Sequence, residues 1–119
     1  MPNLHSLENA LPVAPLKLVV MDSAQTMGAE INNYLVEFRK KINNKFSKDS
    51  GIQGYIEDTY LAKAECPRFG TGEGKGAFKE SIRGKDLFIL VDVCNHSLTY
   101  TVNGFTNHKS PDDHYQDLK

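Results

Sequence analysis

Gly70-Thr71-Gly72-Glu73-Gly74-Lys75-Gly76 gathers four glycines, one carboxylate and one ammonium into a single loop, with Arg68 and Phe69 leading into it. Such a loop can expose backbone N–H groups, and with Lys75 beside them it would neutralise an anion such as phosphate. The spacing does not fit the known cradles. In a GxxxxGK[ST] frame Phe69 stands where the first glycine belongs, and Gly76 replaces the hydroxyl residue. A GxGxx[GA] frame exists at Gly72, Gly74 and Ala77, but it neither follows a strand nor opens a helix. The glycines therefore read as the turn of a hairpin.

Two further groups invite chemistry. Cys94-Asn95-His96 closes an apolar run, at the end of a strand where α/β sites lie. Neighbouring residues on extended chain point to opposite faces, so a Cys/His nucleophile pair is not supported, and Cys94 reads as a small core hydrophobe. His108, Asp112, Asp113 and His114 match no metal-ligand spacing and read as a solvated loop plus a helix cap. Neither catalytic residues nor metal ligands are assigned. Arg39, Lys40, Lys41 and Lys45 read as the wet face of a helix.

The elements around these residues follow from patterning. Leu16 to Met21, after Pro15, reads as a first buried strand. Asp22 or Ser23 can cap the helix that follows, from about Ala24 to Phe46. Met27, Ile31, Leu35, Phe38, Ile42 and Phe46 form its apolar stripe, opposite Glu30, Asn33, Glu37, Lys41 and Asn44. Ser47 to Gly54 reads as a polar loop, Tyr55 to Ala62 as a second strand, and Ala77 to Ile82 as a weak strand. After the Arg83-Gly84-Lys85 turn, Asp86 to Val93 has no polar face and reads as the buried middle of a sheet covered on both sides. His96 to His108, turning at Asn103-Gly104, reads as a hairpin. Ser110-Pro111-Asp112-Asp113 starts a last helix.

One helix cannot cover both faces of such a sheet, so the chain reads as a piece of a larger α/β protein or one that needs a partner. At 119 residues and 39% hydrophobic it fits one globular domain. Fourteen basic against fifteen acidic residues argue against a protein held by nucleic-acid phosphates or anionic lipid. There is no apolar run of bilayer length and no signal-peptide pattern. Two cysteines without CxxC spacing indicate a reduced, cytoplasmic protein.

In their order, Arg68-Phe69-Gly70-Thr71-Gly72-Glu73, then Ser81-Ile82-Arg83-Gly84-Lys85-Asp86, then the strand Leu87 to Val93 resemble the N-terminal domain of ribose-phosphate pyrophosphokinase. That family carries an Arg-Phe-x-Asp-Gly-Glu loop, a Val-Arg-Gly-x-Asp turn and an apolar strand at similar spacing. Leu16 to Leu35 and Asp112 to Leu118 resemble flanking parts of the same domain. The resemblance implies a phosphoribosyltransferase-like (Rossmann-like) α/β portion, with a mixed sheet, one long helix and a short hairpin insertion. Residues 1–15 would be a flexible lead-in, and 16–119 a truncated N-terminal domain.

The resemblance also implies an activity: transfer of the pyrophosphoryl group of ATP to ribose phosphate, with magnesium bridging the phosphates and a homo-oligomer as the working form. Phe69, Thr71, Gly72 and Glu73 would contact the adenine side of ATP in a site shared with a neighbouring subunit. Thr71 stands where the family usually has Asp, which marks a divergent branch. The family's basic catalytic loop, metal-binding His region and ribose-phosphate loop have no counterpart in this sequence, so the chain alone is expected to be inactive. A non-catalytic regulatory relative and a stand-alone nucleotide-binding α/β module are the alternatives.

Overall fold

The computed structural model describes residues 12–46 and 54–119. Most of the expected lead-in, the loop 47–53 and the side chains of Lys45 and Phe46 lie outside that description. Strand β1 (Leu16–Val20) leads through a 3-10 turn (Asp22–Ala24) into helix α1 (Gln25–Phe46). Then come β2 (Leu61–Ala62), β3 (Ala64–Glu65), β4 (Ala77–Phe78), β5 (Asp86–Leu90), β6 (Thr99–Val102), β7 (Phe105–His108) and α2 (Pro111–Leu118).

The mixed sheet expected from sequence resolves into three parts. The main sheet is parallel, in the order β2-β1-β5, and antiparallel pairing is confined to the ribbons β3-β4 and β6-β7. Leu18 lies beside both Leu61 and Phe88, and Val19 beside Ala62 and Ile89. The pleat sends alternate residues to opposite faces, so Leu18 and Val20 face one way and Val19 and Met21 the other. Helix α1 takes the Val20 face. A Cβ at Gly28 would lie 2.3 Å from a Val20 methyl carbon, so glycine is what permits this close approach. Asn32, buried on the same helix, accepts hydrogen bonds from the Tyr60 N–H at 2.8 Å and the Thr59 hydroxyl at 3.4 Å, tying α1 to the start of β2. The other face of the sheet gathers Val19, Met21 and Ala62, with Cys66, Leu87 and Val91 packed against them.

Several sequence expectations change. The central strand is β1, not β5. An apolar run alone cannot tell an edge from a middle, and β5 ends the sheet among the described residues, with Phe88 57% and Ile89 42% exposed. The wet face of α1 is as expected: Glu30, Asn33, Glu37, Lys41 and Asn44 are all exposed. Its dry stripe forms in part: Ile42 is buried and Ile31, Leu35 and Phe38 are half-buried, but Gly28 and Asn32 are buried at the N-terminal end, where Met27 is left 59% exposed. Arg39 leaves the wet cluster to lie over the Tyr55 ring, 4.5 Å from its centroid, and to donate to the Tyr55 carbonyl at 3.1 Å. Ser23 does not cap the helix; its hydroxyl accepts from the Asp92 N–H at 2.9 Å and joins the ends of β1 and β5. Only the last two residues of Tyr55 to Ala62 are strand, only Ala77–Phe78 of the weak strand forms, and β5 stops at Leu90. Cys94 is exposed rather than packed in the core. The Asn103-Gly104 hairpin forms as read, with both residues at positive φ (51° and 82°) as a tight two-residue turn demands.

Candidate functional site

The glycine loop folds as a small hairpin. Arg68 bridges to Gly74, the Phe69 N–H donates to the Glu73 carbonyl at 2.8 Å, and the Lys75 N–H donates to the Pro67 carbonyl at 2.9 Å. Gly72, at φ 87°, closes the turn by donating its N–H to the Phe69 carbonyl at 2.8 Å, a conformation that L side chains rarely adopt. Three of the loop's N–H groups, those of Phe69, Gly72 and Lys75, are thus spent on holding the hairpin itself.

The pairing decides where the side chains go. Phe69 and Glu73 each follow or precede the bridged Arg68 and Gly74 by one residue and are joined by the Phe69 N–H to Glu73 carbonyl bond, so they belong to the face of the ribbon opposite Arg68. Arg68 and Gly74 belong to the other face. Phe69 is 51% exposed and Glu73 is exposed, as is Thr71 at the turn, while Gly72 is half-buried. An exposed flat ring beside an exposed carboxylate offers a stacking surface and an acceptor for an amino or hydroxyl proton.

Beneath that face lies a charged cluster that sequence reading missed. Helix α2 begins with a capping box: the Asp113 N–H donates to Ser110 Oγ at 3.2 Å, and the Ser110 N–H donates to Asp113 Oδ2 at 2.8 Å. Asp113 and Asp117 are four residues apart and share a helix face. Arg68, whose side chain is 3% exposed, enters between them. Its Nη2 donates to the Asp113 carbonyl at 3.3 Å and lies 3.0 Å from Asp117 Oδ1 and 3.7 Å from Asp113 Oδ1. Lys109 Nζ donates to Asp117 Oδ2 at 2.6 Å, and the Arg68 guanidinium lies 4.9 Å from the centre of the Tyr100 ring.

Two cations thus meet two carboxylates. The Arg68–Asp117 contact is close but is not an aligned hydrogen bond, and Arg68 Nε and Nη1 and Asp117 Oδ1 have no hydrogen-bond partner among the described residues. Coulomb attraction in a poorly solvated pocket holds the pair. Desolvation alone would raise the Asp113 pKa. The Ser110 N–H and hydroxyl, then Arg68 and Lys109, outweigh it and hold the carboxyl below its ordinary value of 3.8. Cys66, whose thiol lies 3.6 Å from the Asp117 carbonyl, is pushed up by burial and by the Asp117 charge.

Of His108, Asp112, Asp113 and His114, the first two are exposed and Asp113 belongs to the cap. His114 is buried with Nε2 2.7 Å from the Asn95 carbonyl. Among the described residues no group of three or more His, Cys, Asp and Glu side chains is placed to hold a metal.

Fold and site together define a mixed α/β domain that presents one hairpin loop, anchored from below by charge. Residues 16–118 match the family model described as the N-terminal domain of ribose phosphate pyrophosphokinase, and the chain belongs to that family. Neither a curated protein nor a solved structure matches it. None of the helices among the described residues is long and apolar enough to cross a membrane.

Proposed function

We propose that this chain is the N-terminal, nucleotide-contacting part of a ribose-phosphate diphosphokinase, with residues 16–119 a partial N-terminal domain of phosphoribosyltransferase-like topology. In that reading Phe69 stacks on adenine, Glu73 accepts an amino or hydroxyl proton, and Thr71 and Gly72 shape the turn between them. The site would be completed by a neighbouring subunit of a cytoplasmic homo-oligomer. The observation that carries the reading is the pairing of Phe69 with Glu73 on the exposed face of the loop, in a chain matched to the family over residues 16–118.

Pyrophosphoryl transfer relies on positioned cations and on magnesium to neutralise charge developing on the phosphates. The described residues do not fit a magnesium site, so no step of transfer is derived through one, and the chain alone is assigned a binding role. Magnesium–ATP titrated into the chain should bind weakly, with Phe69→Ala lowering affinity about fivefold, the order of one aromatic stack of roughly 1 kcal/mol. Calorimetry reads this directly. No heat up to millimolar nucleotide, or equal affinity in Phe69→Ala, overturns the assignment.

A further inference from the structure

We infer that Arg68 is a positioning residue: buried between the α2 carboxylates, it fixes the register of the hairpin and so decides that Phe69 and Glu73 face outward. The inference rests on the nucleotide reading for its functional consequence, but its structural half stands on geometry alone.

A short, glycine-rich ribbon is weakly specified by itself, and a slip of one residue would exchange the two faces. Here that slip would carry Arg68 out to solvent and Phe69 in against Asp113 and Asp117. Those two carboxylates and the Tyr100 ring accept a guanidinium and have no use for a second apolar ring. Buried ion pairs add little net stability, and fixing register is their best-attested use.

Two independent features support the lock. Gly74, across the ribbon from Arg68, leaves room for it: a Cβ there would lie 3.0 Å from Arg68 Nη1 and 3.6 Å from Asp117 Oδ1. From the far side, the tip of the β6-β7 hairpin reaches over, and Asn103 Nδ2 donates to the Gly70 carbonyl at 3.2 Å. The loop is thus held beneath by α2 and at its crown by the hairpin, and Tyr100 of that same hairpin stacks on Arg68.

The test measures amide exchange in the full chain without nucleotide, then magnesium–ATP affinity. The Phe69, Gly72 and Lys75 amides donate the bonds that define the ribbon. Arg68→Met keeps the stem and removes the charge. It should speed exchange at these three amides about tenfold or more while β1 and α1 amides stay within about twofold, and weaken nucleotide binding about tenfold. Arg68→Lys, a cation without the planar fork, should fall between. Gly74→Ala alters no charge and crowds only the guanidinium, so it should loosen the same three amides, and it decides the matter should Arg68→Met lose protection in β1 as well. Unchanged loop amides in both Arg68→Met and Gly74→Ala overturn the lock. Loosened amides with unchanged affinity overturn its role in binding. Should the parent chain bind no nucleotide, the nucleotide reading falls while the exchange data still decide the lock.

Discussion

Cys66 and Cys94 flank the loop and the edge strand, and they differ in exposure to solvent. Cys94 is exposed, just past the end of β5. Cys66 is partly covered, packs against the Val19–Met21 cluster, and has its thiolate disfavoured by burial and by the Asp117 charge. Since the thiolate is the nucleophile, iodoacetamide at neutral pH should modify Cys94 about tenfold or more faster than Cys66. Peptide mass spectrometry over a time course reads the two rates, and equal rates would mean that the region around Asp117 opens readily. The roles of single residues were the least legible part of the sequence. Arg68 was visible only as the residue before Phe69, because its partner Asp113 lies 45 positions away. A local signal did exist: Asp113 and Asp117 at helical spacing mark one acidic face on α2, which asks for a cation.

Elements were more legible wherever periodicity or turn chemistry decides them. The exposed face of α1, the Asn103-Gly104 turn and the Ser110 start of α2 all follow from short-range rules, and all three form. What failed depends on neighbours far along the chain. The apolar run of β5 gives no indication that β1 takes the centre, and the stripe on α1 assumes that its bulkiest residues face the sheet. Gly28 breaks that assumption at the N-terminal end, where the helix packs through its smallest residue and Met27 is exposed, while Ile42 further along is buried as expected. Gly28→Ala would raise helix propensity by up to about 1 kcal/mol in an open helix. Here both Val20 methyl carbons would lie within 2.4 Å of the new Cβ, and overpacking of this kind costs about 1–3 kcal/mol. The clash should win. The expected outcome is a loss of about 1–2 kcal/mol, seen as a drop of several degrees in thermal unfolding, with only part of it restored in the double variant Gly28→Ala/Val20→Ala, because the Cβ of residue 20 would itself lie 2.9 Å from the new Cβ. A Gly28→Ala protein more stable than its parent would place α1 elsewhere than on the Val20 face.

Among the described residues the two faces of the sheet are covered unequally. Helix α1 covers the Val20 face of the sheet, but on the opposite face a groove of about 340 Å³ runs past Val19, Met21, Phe78, Ile89 and Leu118. Beside it, β5 has no further strand on its outer edge among the described residues, so backbone N–H and C=O groups there have no ladder partner. Phe88 projects from the same edge on the α1 side, in register with Leu18. Unpaired edges and exposed apolar side chains both favour association, and neither is blunted here by a proline or an inward-pointing charge between Leu87 and Leu90. The chain should therefore self-associate, which also agrees with a nucleotide site completed by a second subunit. Sedimentation velocity over a concentration series should show a rising mean mass. Phe88→Lys, which places a charge on the edge without touching the buried Val19 cluster, should weaken association about tenfold or more, with little change in thermal stability. A monodisperse monomer at every concentration would sink this prediction. Association undiminished in Phe88→Lys would move the contact away from β5 and onto the open groove.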